Sequence, residues 1–151
     1  VTKVHHPLGP LVAFGFTSNE VPLSHFSQIL SIPRSRGFDI GDPHTIRGEQ
    51  HHRRLSVWVV ESRPTVADNN LEPHVEYITH LLITSQSQIA QVRDSMSVTA
   101  FARIDIATEH DYGGVSIQSG SLAKLLQFCD RADIAFWGNE TPSDPLIERI
   151  A

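Results

Sequence analysis

The sequence predicts an α+β domain in which helices pack on a mainly antiparallel sheet. Three observations carry that expectation. Strand-like segments alternate with single amphipathic helical segments, the pattern of a layered mixed fold. Two strand-like segments, 97–108 and 115–117, are separated only by a turn, and strands joined so closely pair antiparallel. The chain has 151 residues, 40% hydrophobic and 19% charged, which suffices for one real core without disulfide staples.

The elements follow in order. Residues 1–10 read as an irregular arm. Leu11 to Thr17 is rich in Val, Phe and Leu and reads as a strand, with Gly15 marking a close approach or a bulge. Pro22 suits a first helical turn, and Leu23, Phe26, Ile29 and Leu30 recur at helical spacing, so Pro22 to Leu30 is a short helix. Ile32-Pro33 ends it, because a residue before proline avoids the helical region. Arg34 to Arg54 has no strong periodicity and is punctuated by Gly37, Gly41, Pro43 and Gly48, so it reads as a polar loop. Leu55 to Glu61 is apolar on both faces and predicts a strand covered on both sides, with Trp58 in the core. Asn70 is placed to cap a helix from Leu71, with a buried stripe of Val75, Ile78, Leu81 and Leu82. Thr84 to Ser87 interrupts that stripe, and Ile89 and Val92 restart it, so a break and a second short helix are expected. In Ser97 to Thr108, Val98, Ala100, Ala102, Ile104 and Ile106 alternate with Thr99, Phe101, Arg103 and Asp105, the mark of a half-exposed strand. A turn over 109–114 leads to a short strand, Val115 to Ile117. A helix capped by Ser119 or Ser121 then carries Leu122, Leu125, Leu126 and Cys129, and Asp133 to Trp137 closes the set as a strand. The resulting order, β-α-β-α-β-β-α-β, suggests a ferredoxin-like variant of the α+β sandwich. A single domain over 1–151 is expected, with its core at about 11–138 and a tail at 139–151.

Charge and cysteine usage limit the partners. The net charge is −5, which argues against general nucleic-acid binding. Up to Arg63 there are seven basic and five acidic residues, and afterwards five basic and twelve acidic. An acidic surface keeps a protein soluble and can also steer a basic partner. The single cysteine, Cys129, cannot form an intramolecular disulfide and sits in an apolar helical pattern, so a small buried hydrophobe is expected. No apolar run is long enough to span a bilayer, and the first residues lack a signal-peptide core, so a cytoplasmic location without membrane contact is expected. Oligomeric state is not legible.

No catalytic signature is present: there is no HExxH, no cysteine pair and no GxSxG. His44, His51 and His52 suggest metal ligands, but adjacent residues of an extended segment point oppositely, and no obvious carboxylate stands at ligand spacing. Neither a metal nor a cofactor is therefore expected. Arg47, Arg53 and Arg54, with His51 and His52, form an alternative ligand loop, 44–54, for a phosphate or carboxylate. The competing expectation is surface ion pairing with Asp42, Glu49 and Glu61. Glu109, Asp111 and Tyr112 lie in a predicted turn in the acidic part of the chain, and Trp137 lies at a strand end. These four are the candidate partner surface.

Several motifs occur together. An opening strand and helix end in Ile32-Pro33. A Gly41-Asp42 loop follows. Arg54 precedes a strand that contains Trp58 and ends in Ser62. Leu71 to His74 opens a helix that continues to Leu81-Leu82, and Ile134 to Trp137 is an aliphatic-aromatic closing strand. In this order and spacing, from about Leu11 to Gly138, the chain resembles the bacterial family named domain of unknown function 4279. It departs from that pattern in the polar insert His44 to His52 and in the tail. The resemblance implies an immunity-type role, because members are associated with bacterial toxin-immunity gene neighbourhoods and no catalysis is established for them. The expected function is a non-enzymatic domain that neutralises a cognate protein toxin, a basic one on charge grounds, by occlusion. The alternatives are a small-ligand or phosphorylated-ligand binder using loop 44–54, and an enzyme of unrecognised chemistry.

Overall fold

A computed structural model describes residues 10–63, 65–107 and 116–137. Among these the elements are β1 (Leu11–Ser18), α1 (Leu23–Ile29), β2 (Arg36–Phe38), β3 (Pro43–Ile46), β4 (Glu49–His52), β5 (Ser56–Glu61), α2 (Leu71–Thr84), α3 (Gln86–Ser95), β6 (Thr99–Ala107), α4 (Ser119–Leu126) and β7 (Arg131–Trp137). The fold is α+β, as the alternation predicts. One five-stranded sheet has the order β2-β5-β1-β6-β7, and β3 with β4 forms a separate two-stranded sheet.

β1 is the middle strand of the five, apolar on its helix-facing side and lined by small residues on the other. It pairs antiparallel with β5 and with β6. Val12, Phe14 and Phe16 share one face with Trp58 and Val60 of β5 and Ala100, Ala102, Ile104 and Ile106 of β6. All four helices cover that face, through Leu23 and Phe26, through Leu71, Val75, Ile78 and Leu82, through Ile89 and Val92, and through Leu125. Trp58 is 1% exposed and lies 6.2 Å, centroid to centroid, from Phe16, so it is core as expected. The helical break is also where the interrupted stripe puts it, with Ser85 between α2 and α3.

The second face differs from its prediction. β6 is not half-exposed. Phe101, Arg103 and Asp105 are all buried, and Ala13, Val57, Val59 and Phe101 form a smaller apolar cluster edged by Phe38 and Leu55. Phe101 lies over Gly15, its register partner. A methyl at Gly15 would stand 2.7 Å from Phe101 Cζ and 2.5 Å from the carbonyl oxygen of Trp58. Gly15 therefore marks a close approach. Arg103 and Asp105, two apart on one strand face, satisfy each other at 2.7 Å, which lets two charges stay in a covered place.

The partner of β6 also differs. The predicted turn 109–114 and the strand start at Val115 lie outside the described residues, and Ser116 to Gln118 is irregular. β6 pairs in parallel with β7, reached through α4, so a crossover rather than a hairpin joins the two described strands. β7 begins two residues earlier than predicted, at Arg131.

Two capping expectations change as well. Asn70 stands at the N-cap of α2, but its side chain donates to Asp68 Oδ1 at 3.0 Å and not to the helix. Neither Ser119 nor Ser121 caps α4. Its N-cap is Gln118, whose N–H donates to Glu72 Oε2 of α2 at 3.0 Å, and the Ser121 hydroxyl donates to the other oxygen of that carboxylate. A side chain of α2 thus holds the start of α4, and those two hydrogen bonds, Ser121 foremost, hold the Glu72 carboxyl below its ordinary range.

Candidate functional site

The polar stretch before Trp58 is a hairpin, not a loop. β3 and β4 pair antiparallel, Pro43 with His52, His44 with His51, Thr45 with Gln50 and Ile46 with Glu49. The connection is Arg47-Gly48, with φ of 50° and 82°. Positive φ at both central residues is the turn whose twist matches paired strands. Gly48 takes that conformation freely, whereas Arg47 does not, which is why the turn is hard to read in sequence. The hairpin base is held by Gly41 N–H donating to Arg53 O and Arg53 N–H to Asp42 O, each at 2.8 Å.

The ribbon sorts the ligand loop by face. His44, Ile46, Glu49 and His51 share one face, and Thr45, Gln50 and His52 share the other. His51 and His52 therefore diverge, as adjacent strand residues must. His44 and His51, seven apart in sequence, come together with ring centroids 5.8 Å apart. Arg47 sits at the tip and Arg53 at the base, about five residues and so roughly 15 Å apart along the ribbon. Arg53 lies 4.0 Å above the Phe38 ring. Arg47 and Arg53 are not brought together into one anion clamp.

The carboxylates named as ion partners of these arginines are engaged elsewhere. Glu61 accepts from Arg36 at 2.7 Å, Glu49 lies 3.7 Å from His51 Nε2, and Asp42 Oδ2 accepts from Asp39 N–H at 2.8 Å. Among the described residues, no group of three or more His, Cys, Asp and Glu side chains is arranged around a metal position.

A Ser–His pair appears that spacing did not announce. Ser62 Oγ accepts from Val12 N–H at 3.0 Å and stands 2.7 Å from His74 Nδ1. His74 Nε2 stands 2.7 Å from the carbonyl oxygen of Asp68, so Nε2 carries the proton and Nδ1 accepts from the serine. Ser62 is 0% and His74 1% exposed. No substrate reaches such a pair, and it acts as a latch between the end of β5 and α2.

Of the candidate partner surface, Glu109, Asp111 and Tyr112 lie outside the described residues. Trp137 ends β7 in register with Ala107, and its side chain is not described. Beside it, sequence reasoning missed two apolar side chains. Ile134 and Phe136 are 55% and 69% exposed. They share a sheet face with Ile104 and Ile106, but among the described residues β7 is the last strand in the order. Cys129 is half-buried, its thiol donating to the Leu125 carbonyl at 3.4 Å, and burial pushes its pKa up to about 12, so it is an unreactive small hydrophobe. No helix of the described residues is long and apolar enough to cross a membrane. No protein-family model matches the chain, and neither a curated protein nor a solved structure matches it.

Proposed function

We propose that this chain is a non-enzymatic protein-binding domain of the immunity type, which neutralises a toxin by covering its working surface. The observation that carries the reading is the outward apolar pair on β7. Phe136 at 69% and Ile134 at 55% exposure are large side chains on an end strand, one and three residues from Trp137. Adjacent exposed apolar side chains on a rigid strand suit a protein partner better than a small ligand. The hairpin β3–β4 offers a polar arm, with every residue of β4 exposed. The resemblance to domain of unknown function 4279 supports the same role. Glu109, Asp111 and Tyr112 belong to the proposal by their charge and chemistry, as a steering group for a basic toxin.

Capture from a bacterial lysate, followed by surface plasmon resonance with the captured protein, tests the reading. Ile134→Ser with Phe136→Ser is expected to weaken the complex more than tenfold while leaving the unfolding temperature unchanged, because both side chains are already wet. Glu109→Lys with Asp111→Lys is expected to slow association and flatten its salt dependence. Full affinity in both double variants would remove the proposed surface.

A further inference from the structure

The hairpin assembles an imidazole pair that residue order conceals. His44 of β3 stands directly opposite His51 of β4, so the two side chains leave the ribbon on the same face. Their ring centroids lie 5.8 Å apart, with planes tilted by 41°. Two imidazoles bound to one zinc at about 2.0–2.1 Å through nitrogen hold their centroids roughly 5–6 Å apart. The observed separation falls within that range.

A third donor is at hand. Glu49 precedes His51 by two residues and shares its face, with Oε2 3.7 Å from His51 Nε2. That carboxylate is 82% exposed, so turning it towards a metal displaces only water. We propose that His44 and His51 chelate one divalent transition-metal ion of the zinc or copper class, with Glu49 turning in as an oxygen ligand and water completing the sphere. The carboxylate has to rotate to complete the set, because the described residues hold no three such side chains already arranged around a metal position. Each ring has two nitrogens, so one can ligate while the other keeps a hydrogen-bond partner. His52 takes no part, because it lies on the opposite face. Imidazole with carboxylate binds copper(II) more tightly than zinc, by the general affinity order of these ions. A metal here ties β3 to β4 across a two-residue turn. The proposal is independent of the protein-binding reading, which rests on β7.

Isothermal titration of tag-free protein with zinc chloride, and separately with copper sulfate, tests it. One equivalent per chain is expected, with copper the tighter. His44→Ala and His51→Ala should each weaken binding at least tenfold. His52→Ala, and a His5→Ala, His6→Ala double variant, should bind like the parent. Copper electron paramagnetic resonance on the unmutated protein gives a reading that no folding defect can mimic, namely hyperfine coupling to two imidazole nitrogens. Lack of saturable binding, loss in the His52→Ala variant, or dependence on His5 and His6 would each overturn the proposal.

Discussion

Ser62→Ala probes the buried latch most directly. The hydroxyl occupies a position with no solvent exposure, accepts from Val12 N–H at 3.0 Å and donates to His74 Nδ1 across 2.7 Å. Alanine keeps the backbone bond from Ser62 N–H to Val12 O, which is 2.8 Å. It removes the oxygen and strands two buried polar atoms, the Val12 N–H and the His74 Nδ1. A buried polar group left unpaired costs about 1–3 kcal/mol. Some relaxation is available at the end of a strand, so the pair should cost about 2–4 kcal/mol together. At this chain length each kcal/mol corresponds to about 2–4 °C, so the unfolding midpoint should fall by roughly 5–15 °C. Urea denaturation should show a lower midpoint concentration with an unchanged slope. His74→Leu in the same protein closes a double-mutant cycle, with a coupling of about 1–2 kcal/mol expected for groups in direct contact. Ser31→Ala, at an exposed position bonded to Gln88, is the control and should move stability by less than about 0.5 kcal/mol. A Ser62→Ala loss as small as the control's, or strict additivity with His74→Leu, would show that the latch contributes nothing.

Three further outcomes follow from the packing. Trp58→Ala should cost about 3–5 kcal/mol in chemical denaturation, as other large-to-small core changes do, and a loss near that of a surface change would contradict its 1% exposure. Gly15→Ala puts a methyl 2.5 Å from the Trp58 carbonyl oxygen and 2.7 Å from Phe101 Cζ, so about 1–3 kcal/mol of overpacking is expected. Phe101→Leu should recover only part of it, since the backbone contact stays, and complete recovery would shift the cause to the ring alone. The Asp130 carboxyl is held below its ordinary range, first by the N–H of Ala100 at 2.8 Å and then by Arg93. A depressed folded value means that its stabilisation is full above the ordinary aspartate range and is lost as pH falls through the folded value. Asp130→Asn should therefore lower stability at pH 7 and flatten its decline below about pH 4, and a parallel pH profile for the two proteins would refute that assignment.

The sequence by itself determined what depends on neighbours a few residues away. The alternation of Val98 to Ile106 names the helix-facing side of β6, the stripes of α2 and α3 name their buried residues, and the interruption near Ser85 names the break. The two-sided apolar run through Trp58 names a covered strand. In each case a side-chain period of two or about 3.6 is itself the signal. Tertiary structure decided which partners meet. Alternation says that Phe101, Arg103 and Asp105 share a face, but not that Phe101 lies over Gly15 or that the charges are covered. It says nothing of the parallel pairing of β6 with β7. The hairpin 43–52 was invisible because its only apolar residue is Ile46, so strand alternation had no hydrophobic contrast to display, and because its turn uses arginine where a left-handed backbone favours asparagine or glycine. His44 meets His51, Ser62 meets His74 and Glu72 meets Ser121 only after the backbone has closed loops of very different length. The hairpin closes by its own cross-strand pairing and turn, whereas the free energy that closes the two longer loops comes from the core burial around Phe14, Phe16 and Trp58, which is spread over most described elements and written in no single motif.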